Sequence, residues 1–214
     1  MKKFVVITLL PDAVRAYLDS SMLWKAQKDN LARFDVINLR DFGRGAHQSV
    51  DDTPYGGGDG MLLKVDVLAD AVAAAKKILP DGKVLLMTPC ENLWNQAKAQ
   101  QLADSDDDFI LLCGRYEGFD ARVDSLVDQK ISIGQYVLTG GELPALSVID
   151  SIVRLIPGVL GGASSAAIES YTDGANLEFP QYTRPEIWNG LKVPEILLSG
   201  DHQAVENWRR ENSK

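Results

Sequence analysis

Phe109-Ile110-Leu111-Leu112-Cys113-Gly114-Arg115-Tyr116-Glu117-Gly118 is an unbroken apolar run followed at once by a polar turn bracketed by glycines. A strand that is apolar at every position is buried on both faces, which is the mark of a parallel sheet covered on both sides. Cys113 closes the run and reads as a small buried apolar residue. Working outward, Phe4 to Leu10, Phe34 to Leu39 and Lys83 to Thr88 read as further strands, and Ile131 to Leu138 holds another near Tyr136-Val137-Leu138. Helical patterns fill the intervals. Asp12 fits an N-cap for a helix to about Asp19, and a second helix fits Trp24 to Leu31. Others fit Val65 to Leu79, Leu93 to Leu102, Ala121 to Val127 and Glu142 to Ile156. Leu146, Ile149, Ile152, Val153 and Ile156 recur at spacings of mostly three or four in the last of these, the period of one helix face. Alternating strands and helices predict an α/β fold, a parallel sheet with helices on both faces.

Such sheets bind ligands beyond the C-terminal ends of their strands. The turns after Leu39, Thr88, Cys113 and Leu138 fall there. The long stretch Arg40 to Met61 is rich in glycine and reads as a loop or lid, centred on Pro54-Tyr55-Gly56-Gly57-Gly58-Asp59-Gly60. Gly161 to Asn176 is small and polar and reads as a linker. Leu177 to Lys214 reads as a small, mostly helical second unit whose last helix begins near Asp201. A unit of that size buries too little surface to fold alone, so it must pack on something else. The domain reading is therefore 1–160, a linker over 161–176, and 177–214.

Composition excludes several classes. With 45% hydrophobic and 24% charged residues the chain is an ordinary globular protein. Cys90, Cys113, His47 and His202 are too scattered for a zinc signature or a disulfide framework. The apolar run at the N-terminus is too short to span a membrane, so no membrane partner is expected and the cytoplasm is the default location. There is no dinucleotide fingerprint, no phosphate-binding P-loop and no Gly-x-Ser-x-Gly elbow. The net charge of -8 argues against a nucleic-acid partner, although a local basic face can sit inside an acidic total.

Four segments can carry chemistry, and each has a plainer alternative. Gly114 to Gly118 sets a cation, an aromatic ring and a carboxylate in one loop, or is a surface turn. In Ser132 to Glu142, Gly140 and Gly141 can expose main-chain groups to an adenine or ribose, or form an ordinary turn into a helix. Arg154 lies late in an apolar helix, where the helix C-terminus stabilises a cation, or it is a surface ion-pair partner of Asp150. Glu169 and Asp173 are linker carboxylates, either a general base or solvated charges.

Taken together, these segments resemble one family, bacterial tRNA (guanine-37 N1)-methyltransferase, TrmD. The matching pieces are Asp51 to Gly58, Cys113 to Gly118, Ser132 to Glu142 and Ile156 to Gly161. Tyr182-Thr183-Arg184-Pro185-Glu186 and Leu197 to His202 complete the set, in the family's order. The resemblance implies a SPOUT-class domain with a C-terminal trefoil knot and a homodimer with its active site between subunits. It implies S-adenosylmethionine held by three loops: Thr88 and Pro89; Gly114, Tyr116 and Glu117; and Ser132, Ile133, Gly134, Tyr136, Leu138, Gly140 and Gly141. It implies Arg154 as the catalytic arginine, Glu169 in the place of the catalytic base, tRNA gripped by the C-terminal unit, and use of Mg2+ at a site no residue cluster announces.

The chain also departs from the family. Glu169 and Glu178 stand where aspartates are usual, Thr53 replaces an arginine, and the arginine-rich tail common in relatives does not follow Lys214. Competing readings are a fold-retaining RNA-binding protein with weakened catalysis, and a SPOUT methyltransferase for another RNA position.

Overall fold

The computed structural model describes residues 1–161, 170–171 and 177–213. Glu169 and Asp173, the linker carboxylates singled out above, lie outside the described residues. The chain divides into two compact units, Met1–Gly161 and Gly162–Lys214.

In the first unit the order is β1 (Lys2–Thr8), α1 (Pro11–Leu18), α2 (Ser21–Lys28), β2 (Ala32–Asn38), β3 (Asp51–Asp52), β4 (Leu62–Leu63), α3 (Val65–Ile78), β5 (Lys83–Met87), α4 (Gln96–Asp104), β6 (Phe109–Cys113), β7 (Gln129–Ile131) and α5 (Glu142–Val153). Five strands form one sheet in the order β2-β1-β6-β5-β7, and every pairing in it is parallel. All five residues of β6 are buried, as its unbroken apolar pattern predicts. Alternate side chains feed two cores. Phe4, Val6, Leu111 and Met87 pack with Val14 of α1, Leu23 of α2 and Ile149, Ile152 and Val153 of α5. Val5, Ile7, Ile110 and Leu112 face the other way, against Leu68, Ala71 and Val72 of α3. Helices thus cover both faces.

Several expected elements move, each for a local reason. Pro11 rather than Asp12 begins α1, since its missing N–H would be unpaired in the first turn anyway; Asp12 sits inside that turn. Helix α2 ends at Lys28, and Asn30 follows with a left-handed φ of 54°. Helix α4 starts later than Leu93 because the Asn95 side chain accepts from the Lys98 N–H, a cap stronger than the apolar run before it. The strand expected at Tyr136-Val137-Leu138 is absent. The edge strand is β7, and the chain leaves the sheet at Ser132, whose hydroxyl turns back onto the Gly134 carbonyl at 2.8 Å. Helix α5 stops at Val153 instead of Ile156, because Leu155 and Ile156 make tighter bonds to Ile152 and Val153 ahead of Pro157. Part of the glycine-rich stretch is ordered as a two-stranded ladder, β3 with β4.

The second unit contains β8 (Ile187–Trp188) paired antiparallel with β9 (Leu191–Lys192), a 3-10 turn Glu195–Leu198 and α6 (His202–Asn212). Asp201 caps α6 by accepting from Gln203 and Ala204, in the position the sequence suggests. The unit is less helical than expected over 177–213. Pro180, Pro185, Gly190 and Pro194 interrupt the segment before α6 and leave only the short hairpin. Among the described residues no helix is long and apolar enough to cross a membrane.

Candidate functional site

Strands β5, β6 and β7 end side by side, so the loops leaving them must meet above the sheet. They enclose one cleft. Its walls include Thr88 and Pro89 after β5; Gly114, Tyr116 and Glu117 after β6; and Ser132, Ile133, Gly134, Tyr136, Leu138, Gly140 and Gly141 between β7 and α5. The sequence reading brought those twelve residues to one place. It did not single out Met87, Phe119, Val137 and Thr139, which also line the cleft. Val137 had no sequence signal of its own, because its 84% exposure is visible only in the structure.

The loops touch through their backbones. The Gly141 N–H donates to the Gly114 carbonyl at 2.9 Å. A Cβ on Gly141 would sit 2.6 Å from the Gly114 nitrogen and 2.8 Å from the Cys113 Cα, so only glycine allows this approach. Tyr116 holds a left-handed backbone, φ 58°, at the tip of its turn. The turn is fastened to the strand arm before α3: the Glu117 N–H donates to the Met61 carbonyl, and the Leu63 N–H to that of Gly118. Ser132 is pinned from the other side, its carbonyl accepting from the Trp94 N–H at 2.7 Å.

Behind the cleft lies an ionic network. Glu142, in the first turn of α5, is buried; its carboxylate accepts from the Thr8 hydroxyl at 2.8 Å and pairs with Arg115 at 3.3 Å. Arg115 also donates to the Thr139 carbonyl at 3.3 Å. Burial, reinforced by the Glu142 charge, pushes the Cys113 thiol well above its usual range, so it stays protonated and unreactive. Beyond Phe119, the Arg122 guanidinium hydrogen-bonds Asp120 and draws its carboxyl down to about 2. Asp120 also caps the 3-10 turn Ala121–Leu126. Its folded pKa lies below the unfolded value of about 3.9, so its contribution to stability is present above about pH 4 and fades as pH falls towards 2. The gap in urea midpoint between the protein and Asp120→Asn should therefore narrow across that window. A gap that stays constant would show that the ion pair does not act on stability.

Arg154 is not in the cleft. It caps the C-terminal end of α5, half-buried, and lines a separate surface hollow with Tyr17, Leu143, Leu146, Ser147, Asp150 and Ser151. The Asp150 carboxylate there accepts from the Tyr17 hydroxyl at 2.5 Å, a bond that raises the phenol's pKa. The cleft reaches α5 only at Pro144, ten residues and about 15 Å along the helix axis from Arg154.

The cleft can do three things chemically. The loop backbones around Gly134 and Gly140 lie in its wall, where main chain can meet a purine edge. Ile133, Tyr136, Leu138 and Pro144 offer apolar surface to a flat ring. Glu117 places a carboxylate where a cationic centre is favoured. Among the described residues no group of three or more His, Cys, Asp or Glu side chains is arranged to hold a metal ion.

A family profile described as tRNA (Guanine-1)-methyltransferase TrmD matches residues 1–214. A tRNA (guanine-N(1)-)-methyltransferase of Thermus thermophilus is 49% identical over 211 residues, covering 99% of this chain and 86% of the relative. Its counterpart in Dictyoglomus turgidum is 46% identical over 213 residues, covering 100% and 85%. The crystal structure of tRNA (m1G37) methyltransferase from Aquifex aeolicus superposes with a TM-score of 0.81 at 36% identity, over 97% of this chain and 87% of that one.

Proposed function

The chain belongs to the tRNA (guanine-1)-methyltransferase family, and from that premise we propose that it transfers a methyl group from S-adenosylmethionine to N1 of guanosine 37 in tRNA. The observation that carries the reading is the meeting of three loops in one cleft at the carboxyl ends of parallel strands, with every cofactor position the resemblance implies on its walls. The walls suit an adenosyl sulfonium: main chain and apolar side chains for the base, and the Glu117 carboxylate for the positive centre. When bound, S-adenosylmethionine supplies an electrophilic methyl on a sulfonium that departs as a neutral thioether.

The remaining work falls to the protein. Guanine N1 carries a proton and is a poor nucleophile until it is lost. Glu169 takes that proton as general base. Arg154 stabilises the negative charge that develops on guanine O6. The cleft holds the methyl carbon in line for attack by N1, and such alignment is the larger part of what a transferase contributes. Arg154 lies too far along α5 to serve the cleft of its own chain, so a second copy delivers it, and the enzyme acts as a homodimer with sites between subunits. The first unit carries the SPOUT trefoil knot that the family resemblance implies; its parallel sheet and the Aquifex superposition support the α/β fold in which such a knot would lie. The domains fall at 1–160, 161–176 and 177–214, with the last gripping tRNA. The enzyme works in the cytoplasm. No described residues fit the Mg2+ that the resemblance implies, and no step here runs through it.

The test is a methyl-transfer assay on a tRNA transcript with guanosine 37 preceded by guanosine, the product read by mass spectrometry. N1-methylguanosine is expected, and none when guanosine 37 is replaced. No product would favour the weakened RNA-binding protein, and product with the substituted transcript a different target position. Glu169→Gln should lower kcat roughly 10²-fold. Full activity of that variant from about pH 6 to 9 would remove Glu169 from the role of base.

A further inference from the structure

Glu142 is the only buried carboxylate among the described residues, and it does not line the cleft. A buried carboxylate carries a desolvation penalty that well-packed apolar residues would avoid, so its partners indicate its use. It has two. Thr8, fully buried at the end of β1, accepts from the Leu10 N–H at 2.9 Å, which leaves its hydroxyl proton pointing to Glu142 at 2.8 Å. Arg115, in the loop after β6, meets Glu142 at 3.3 Å and hands its Nη1 to the Thr139 carbonyl in the opposite loop. The chain from Thr8 through Glu142 and Arg115 to Thr139 therefore ties the sheet to both loops across the cleft. Gly140 is shaped to it: a Cβ there would lie 2.5 Å from the Glu142 carboxylate and 2.7 Å from Arg115 Nε.

We propose that Glu142, held by Thr8, is a positioning residue for the cofactor: it orients Arg115 so that the loops at Gly114–Gly118 and Thr139–Gly141 stay at cofactor-binding separation. The proposal rests on the reading of the cleft as the S-adenosylmethionine site. Glu142 touches neither reacting atom, so its loss acts on cofactor affinity far more than on transfer. Gln at this position keeps an acceptor for Thr8 and removes the charge that orients Arg115.

The experiment measures the S-adenosylmethionine Kd by calorimetry, KM and kcat by methyl transfer, and the melting temperature. The proteins are the unaltered chain, Glu142→Gln, Arg115→Met, the double variant and Thr8→Val. Glu142→Gln and Arg115→Met should each weaken cofactor binding about tenfold, the scale of one charge-assisted hydrogen bond. KM for S-adenosylmethionine rises with it, and kcat at saturation falls much less. The double variant should bind no worse than either single one, because both break the same tie. Thr8→Val, which leaves the ion pair in place, weakens binding severalfold and keeps the test open if Glu142→Gln fails to fold. Independent effects that multiply to about a hundredfold would mean Arg115 acts by contact alone and would overturn the proposal. So would variants that melt earlier but bind the cofactor as tightly as the unaltered chain, a purely structural outcome. If the unaltered chain itself does not bind S-adenosylmethionine, the reading of the cleft fails first, and this inference with it.

Discussion

Replacing Arg154 with alanine should lower kcat by about 10²- to 10³-fold, the usual cost of losing one donor to a developing oxyanion, while the Kd for S-adenosylmethionine stays within about twofold. The two effects separate because Arg154 sits outside the cleft, in the hollow with Tyr17 and Asp150. Arg154 is roughly 15 Å along α5 from Pro144, the point where the helix meets the cleft, so it does not touch a cofactor held there. The variant therefore gives a second, sharper result. If the proposed homodimer shares its sites, mixing Arg154→Ala chains with chains whose cofactor cleft is blocked by Gly141→Val restores activity, since each mixed dimer then holds one site with both parts intact. Random exchange at equal amounts restores roughly a quarter of the wild-type sites. Two inactive variants that stay inactive when mixed would rule out a site shared between subunits. An Arg154→Ala enzyme at full kcat would remove the arginine from catalysis.

The second large effect is expected at Gly141. Gly141→Ala should abolish measurable S-adenosylmethionine binding, a loss of about 10³-fold or more, corresponding to roughly 4 kcal/mol. The added Cβ meets the Gly114 nitrogen at 2.6 Å, the Cys113 Cα at 2.8 Å and the Met87 Cβ at 3.1 Å. The first two are backbone atoms at the end of β6, which is hydrogen-bonded to strands on both sides and buried throughout. Such atoms cannot move aside, so the loop carrying Gly140 and Gly141 must lift and break its bond to Gly114. The contrast with Gly140 is informative. A Cβ there meets the side-chain ends of Glu142 and Arg115 instead of backbone, so Gly140→Ala should disturb that one ion pair and be milder than Gly141→Ala. Equal cofactor affinity for Gly141→Ala and the unaltered chain, by calorimetry, would show that the close contact of the two loops is irrelevant to binding.

How much of this was legible beforehand depended on how local the signal is. The run Phe109 to Cys113 predicted a buried parallel strand because apolarity at every position has one cheap solution, burial on both faces. Asp201 foretold the start of α6 because a cap is satisfied within its own turn. Glycine-bearing turns marked the cleft because backbone approach demands glycine wherever it occurs. The apolar triplet Tyr136-Val137-Leu138 misled for the same reason in reverse. Its composition is that of a strand, but it pairs with no strand and stands exposed in the wall of the cleft.

The sequence by itself thus determined the layered α/β architecture through short-range periodicity, while the twelve residues that reach the cleft came from the family resemblance carried by its motifs. Only the tertiary structure decided that Thr8, Arg115 and Glu142 meet, 134 positions separating the first from the last, and that Arg154 lines a hollow apart from the cleft. Neither fact has a local signature. A buried carboxylate looks like any helix-starting glutamate until the strand that carries its partner is packed against it, and the reach of a helix end is known only once its other end is placed.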